Sequence, residues 1–397
     1  MSVRCKVVAC CTAALAGLLS RGAAAQRKAA TKGQEATAER LYAEAARLFQ
    51  RRQLFELKAT LERLLKQAPD AAVVADAARK PSVAEMLEAV KGLGDLLPVR
   101  RDGAAGAFRK VQDAIDAAAA NSTVEIQDAG PYAERLVIPK EKTGLTLRGK
   151  NPLWPVIASD GQAGPLVVIE GAGTALEHLV LAHQGAAEGP SAALDVRGGP
   201  CTLQLVAIGA RGAPPALAAR TPPGAALEAR ACLVAGGAVL EGDAVLKDCL
   251  WPSSGAGGLR AAGAFKAENC LLPNVLTTGP AELLGCTVIE GAFFKGRPSR
   301  AANSILYKVG SERDDARIEH SNVFPAGFLG AALPGEGCFS AEPKFVDIRN
   351  LDYRLAPASP CRKKGSDGED VGCRYTTEMA DLAKKAIEFR ARGLLPF

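Results

Sequence analysis

Aromatic side chains are scarce. Two Trp, 5 Tyr and 12 Phe make up only 5% of 397 residues, too few for an aromatic-rich β-sandwich. Histidine occurs three times at separated positions and no Cys-x-x-Cys pair exists, so the spacing of a zinc site is missing. No apolar run after the N-terminus approaches the roughly 18–20 residues that span a bilayer, so no transmembrane helix is expected beyond it. Basic residues do not gather. Of the formal +6, three charges (Arg4, Lys6, Arg21) lie in the first 25 residues, and the remaining +3 is scattered. That excludes a nucleic-acid footprint. Gly-x-Ser-x-Gly, His-Glu-x-x-His and phosphate-loop patterns are absent as well.

What is present begins with an export signal. Arg4 and Lys6 precede an apolar stretch from Val7 to Leu19, and Ala23-Ala24-Ala25 supplies small residues for cleavage before Gln26. Residues 1–25 therefore read as a signal peptide, and the mature chain as exported to a periplasm, cell envelope or extracellular space. Cys10 and Cys11 fall inside the apolar core, where a lipid-attachment cysteine would not lie. Cleavage leaves eight cysteines, an even count that permits disulfides in an oxidising compartment.

Residues 26–98 read as an α-helical segment. Leu41, Ala45, Leu48 and Phe49 line one helix face; Leu54, Leu57, Leu61 and Leu64 line a second. Ala45, Leu48 and Pro69 fall near the positions of a tetratricopeptide helix pair, which this stretch resembles. A third helix opens on the capping box Ser82-x-x-Glu85 and is expected to run to about Leu97. Pro98 to Gly103 then reads as a linker.

The most regular feature lies further on. Asp248-Cys249-Leu250-Trp251, Asn269-Cys270-Leu271-Leu272, Gly285-Cys286-Thr287-Val288, Asn303-Ser304-Ile305-Leu306 and Ser321-Asn322-Val323-Phe324 share one beat. A repeat of roughly twenty residues built on short β-like runs points to a solenoid of strands. Asp and Asn before the Cys-like position suit a left-handed bend, and the apolar residues after it would face inward. Looser repeats upstream bring the expectation to about nine coils and a body roughly 40–45 Å long. The cysteine column reads as buried thiols packing as small hydrophobes, with neighbouring-coil disulfides as the alternative.

Both ends of residues 103–375 resemble right-handed parallel β-helix proteins of the pectin-lyase-like group, which includes pectate lyases and pectin methylesterases. The opening match is Val111-Gln112-Asp113-Ala114-Ile115, Tyr132-Ala133-Glu134 and Leu145 to Gly149. The closing match is Glu342 to Asp347, Asp352-Tyr353-Arg354-Leu355, Ser359-Pro360 and Asp370-Val371-Gly372. The resemblance implies a mainly β fold, a right-handed parallel β-helix preceded by a small α-helical segment, with a short helix capping the first coil. Residues 376–397 are expected to form a C-terminal helix or cap.

Chemistry is harder to find. A lyase of this fold needs carboxylates for calcium and a basic group near the scissile sugar. The candidates are Asp314, Asp315 and His320, next to Glu319, with Arg297 in a segment similar to the arginine-bearing stretch of pectate lyases but differently spaced. Calcium enters only under that alternative, and otherwise no cofactor is expected. Glu241, Asp243 and Asp248 recur in no column, so a glycosidase pair is unsupported. Cys361 and Cys373 flank a polar loop and are expected to be bonded. The preferred function is noncatalytic binding of a polysaccharide or an envelope protein. A divergent polysaccharide lyase or hydrolase and a structural or assembly role are the alternatives. The irregular loops 211–221, 252–262 and 292–317 are where chemistry is expected.

Overall fold

A computed structural model describes residues 30–159, 164–183, 192–211, 215–253, 258–313, 316–325 and 327–396. The proposed signal peptide, Asp314 and Asp315 lie outside these residues. The chain divides into two compact units, Met1–Leu93 and Gly94–Phe397.

The first unit contains α1 (Lys32–Gln50), α2 (Leu54–Gln67), α3 (Ala72–Ala75) and α4 (Val83–Val90). Thr31 and Ser82 each close a capping box, with Gln34 and Glu85 respectively. Ala38, Leu41 and Ala45 pack with Leu57, Leu61, Leu64, Val83 and Met86 in one apolar cluster. The third long helix stops at Val90 instead of about Leu97, because Gly92 takes φ 77°. Leu96–Val99 is then a β-strand rather than helix end and linker, and it pairs in parallel with Thr123–Ile126. Pro98, which lacks an N–H, is tolerated there because the strand lies at the edge of its sheet.

From that strand the second unit winds as a parallel β-helix with three faces. The first face stacks Leu96–Val99, Thr123–Ile126, Thr146–Gly149, the starts of Thr174–His183 and Cys201–Ala210, Ala226–Arg230, Asp243–Lys247, Phe265–Glu268, Ala281–Leu284, Ser299–Ala302 and Arg317–Glu319. These are eleven rungs among the described residues, against the nine expected. At about 4.8 Å per step the body is about 48 Å long. Inward residues such as Leu203, Leu246, Leu283 and Ile318 belong to one continuous core.

A sharp bend joins the first face to the second. His178, Leu205, Ala231, Asp248, Asn269, Gly285, Asn303, His320 and Gly337 all hold φ between 45° and 67°. Asp, Asn and Gly adopt this left-handed conformation at low cost, as the beat implied. The last beat is shifted by one residue: Ile305 pairs with Asn322, so the bend is His320 and the inward residue is Ser321.

The inward residue after each bend has a second role. Cys232, Cys249, Cys270 and Cys286 are free, buried thiols, and each donates to the carbonyl two residues before it. Ser304 and Ser321 do the same at 2.8 and 2.7 Å. Sideways, Cys286 N–H donates to Ser304 Oγ and Ser304 N–H to Ser321 Oγ, both at 3.1 Å. The carbonyls of Lys247, Glu268, Leu284, Ala302 and Glu319 also accept a backbone N–H from the neighbouring rung, so the side chain adds a second bond there. The N–H groups of Cys286 and Ser304 find their acceptor in the hydroxyl of the next rung. The column is thus a hydrogen-bonded ladder as well as core packing.

Helix α5 (Val111–Ala117) packs against the first rungs, as the resemblance implied. Glu134 accepts from the N–H groups of Val111 and Gln112, capping the helix. The Gln112 amide accepts from Val137 N–H and donates to Val137 O, occupying that strand's free edge.

The C-terminal helix, α6 (Thr377–Ala391), does not close the solenoid's end. It lies along the second face. There Val156, Val180, Ala207, Leu233, Leu250 and Leu271 form an unbroken outward row. Met379, Leu382, Ala386 and Phe389 pack against that row. Fifteen residues of helix measure about 22 Å, close to the roughly 24 Å of five rung steps. Asn269 ties down its start, accepting from Arg374 N–H at 2.6 Å and donating to Arg374 O and to Asp248 Oδ1 at 2.8 and 2.6 Å. Cys361 and Cys373 are not bonded. Both are free buried thiols in different apolar clusters, where burial pushes them up to about 11 and about 12.

Three outcomes follow from these contacts. Asn269→Ala loses both the left-handed preference and the hydrogen bonds, and should lower stability by about 3 kcal/mol in a denaturant titration. Thr277→Val should stabilise the fold by about 1 kcal/mol, read as a higher melting temperature, because the Thr277 hydroxyl is buried in the core without a hydrogen-bond partner. Among the eight described cysteines, maleimide at neutral pH should label only half-buried Cys338 in the native protein, and all eight only after unfolding.

Candidate functional site

Along the first face, two outward rows carry most of the charge. One runs Glu228, Val245, Lys266, Glu282, Arg300, Arg317; the other runs Arg230, Lys247, Glu268, Leu284, Ala302, Glu319. Residues one rung apart are in contact range, so like charges repel and opposite charges pair. Lys266 meets Glu282 at 3.3 Å and Lys247 meets Glu268 at 2.6 Å. Arg300 reaches both Glu282, at 3.6 Å, and Glu319, at 3.2 Å. The Lys247 hydrogen bond holds the Glu268 carboxyl below its ordinary value and Glu268 raises Lys247 in return. Each exposed pair contributes little to stability. The pattern matters more for the charge it leaves uncancelled. Arg317 stands beside Arg300, with like sign.

This face borders an open groove of about 1030 Å³ at the corner where the third face turns into the first. Phe265, Pro280 and Pro298 give it an apolar side, and Lys266, Arg297, Arg300 and Arg317 a basic one, with Asp243 and Glu282 as its acids. Stacked glycines form the corner. A Cβ on Gly279 or Gly296 would collide with the backbone of the preceding rung, so no side chain can rise there.

Arg297 therefore lies in a groove, together with Arg317 from the expected acidic loop. His320 does not join it. That residue is a bend of the ladder, its N–H donating to Glu336 O at 2.7 Å and its ring against Gly337. A face strand separates it from the position of Arg297, roughly 15–20 Å by strand rise. Glu319 is engaged with Arg300. His178 is likewise a bend residue, packed edge-on to Trp154 at 5.8 Å, and burial lowers its pKa. Asp248 is also a bend residue, and Glu241 pairs with Arg220 at 3.5 Å.

Asp243 and Glu282 are both occupied: Asp243 Oδ1 accepts from Ala264 N–H at 2.9 Å, and Glu282 holds Lys266 and Arg300. They sit two rungs apart, about 10 Å or more, beyond the roughly 5–9.5 Å of a glycosidase pair. Among the described residues no group of three His, Cys, Asp or Glu is placed to hold a metal ion. Lys266, Glu282 and Arg300 were not among the candidates from the sequence. Their alternation with Phe265, Ala281 and Ala301 was the available signal, and it becomes informative only once the register is known.

No protein-family model matches the sequence, and no curated protein does. Among solved structures, a carrot pectin methylesterase is similar at 15% identity over 62% of this chain and 88% of its own, with a TM-score of 0.34. A pectate lyase is similar at 11% identity over 71% of this chain and 97% of its own, TM-score 0.41. An Aspergillus niger pectin methylesterase shares 15% identity over 62% and 83%, TM-score 0.31. Such likenesses concern the path of the chain. The parallel β-helix is established by the strand register, and no reaction follows from it.

Proposed function

We propose that the protein is an exported β-helix that binds an acidic polysaccharide without cleaving it. The observation that carries this reading is the corner groove, where Lys266, Arg297, Arg300 and Arg317 gather beside an apolar wall while both carboxylates are already held by neighbours. A linear polyanion laid along the axis would meet these groups at strand spacing, and guanidinium groups suit carboxylates. Export is supported by the charged, apolar and small-residue pattern of residues 1–25 and is compatible with thiols that are buried and hydrogen-bonded. An envelope protein on the helical unit would be a further partner.

The lyase reading is kept alive by one observation, the position of Arg297 in the groove. Both readings meet in one assay. Polygalacturonate should bind, its affinity falling as salt rises, and neutral dextran should not displace it from the groove. The double variant Arg300→Ala/Arg317→Ala should bind about tenfold more weakly. No unsaturated sugar should form with or without calcium. Turnover that disappears in Arg297→Ala would establish the lyase instead.

A further inference from the structure

The third face carries an outward row that turns apolar toward its C-terminal rungs. Arg260, Leu276, Phe293, Gly310 and Leu329 are register partners on successive rungs. Below Arg260 the row is apolar over three steps, about 14 Å. Leu276 and Phe293 are half-buried and Leu329 is 49% exposed. The second face covers its equivalent row with α6, whereas no described segment lies over this one.

Phe293 has an unusual seat. A Cβ on Gly310 would collide with the Phe293 ring, so the ring rests on the bare backbone of the next rung. The absence of one side chain lets an aromatic plane lie along the sheet. On either side several neighbouring outward positions are polar, Asn274 and Lys308 toward the strand starts and Thr278, Lys295 and Glu312 toward the ends, with Gly291, Gly327 and Ala331 at the others. Lys295 pairs with Glu312 at 2.7 Å, and its ammonium lies 6.0 Å from the Phe293 ring centre.

We infer that this row is a second carbohydrate surface, one that stacks the apolar ring faces of a neutral hexopyranose chain. Width decides against a protein partner. A stable protein interface takes roughly 20–30 residues a side, and a strip one side chain wide supplies four. A sugar chain is a better match, apolar on its ring faces and hydroxylated at its edges. It would lie with its rings over Phe293 and Leu276 and its hydroxyls against Asn274, Thr278, Lys295 and Lys308. The inference rests on the proposed reading of the protein as a polysaccharide binder, but it uses a different face and a different chemistry from the groove.

The test uses two polymers with one backbone, neutral hydroxyethylcellulose and anionic carboxymethylcellulose, in affinity electrophoresis of the whole protein. Wild type should bind both. Phe293→Leu keeps apolar cover over Gly310 but removes the plane, and should weaken hydroxyethylcellulose binding about fivefold or more while carboxymethylcellulose still binds. Gly310→Ala lifts the ring and should do the same without touching the ligand; Phe293→Tyr should restore binding. Arg300→Ala/Arg317→Ala should show the converse selectivity. Melting curves for each variant establish that it is folded. Binding of carboxymethylcellulose alone would overturn the strip and leave the groove standing. Binding of neither polymer would overturn both. Hydroxyethylcellulose binding that ignores Phe293→Leu and Gly310→Ala would also overturn the strip.

Discussion

Every rung of this protein lies one strand spacing from the next, so each residue must tolerate its own counterpart above and below. That single constraint accounts for most of what is regular in the chain. Where backbone bends, the stack selects Asp, Asn or Gly; where polar backbone is stranded inside, it selects Cys or Ser. Several outward charges, such as Lys266 with Glu282 and Lys247 with Glu268, find an opposite charge one rung away, where a matched charge would repel. Leu205 and Ala231 show the constraint from the other side: they accept the left-handed bend although neither residue favours it, since the strands before and after leave no other path.

Legibility in the sequence followed the regularity of the rungs. Between Asp248 and Leu306 the coils are short and each bend is announced by Asp, Asn or Gly, so period, bend and inward column could be read directly. At the next coil His320 takes the bend, while Ser321-Asn322 imitates the expected polar pair, and the reading slipped by one residue. Leu96–Val99 was hidden for a different reason. A strand holding a proline next to a capped helix looks like that helix's end, and only its partner Thr123–Ile126 shows otherwise. An apolar helical stripe says that α6 must dock, but any apolar surface would satisfy it. The docking face was therefore beyond the sequence. The same holds for Cys361 and Cys373: they are near in sequence, yet each is drawn into a different apolar cluster.

The groove shows how a solenoid separates scaffold from site. Inward positions of the first face are committed to the core, bends to hydrogen bonding, and most outward charges to each other. The groove lies at the corner after the third face, where glycine stacking removes the wall and Arg300 and Arg317, on adjacent rungs, line the gap. Arg297 was within reach of sequence reasoning because its segment is similar to the arginine-bearing stretch of pectate lyases. Arg300 and Arg317 were not singled out as a pair, since seventeen residues of sequence separate what the register makes neighbours.

The course of α6 has a consequence for how the molecule is made. Its apolar side covers rungs laid down long before it, from Leu271 back to Val156, so those coils wait for α6. A chain threaded through a secretion channel from its N-terminus would emerge with that flank bare. The cover comes only with α6, which follows every rung in the sequence. Folding here therefore has an order: the solenoid can grow rung by rung, but the helix that seals the flank from Val156 to Leu271 follows all of those rungs in the sequence.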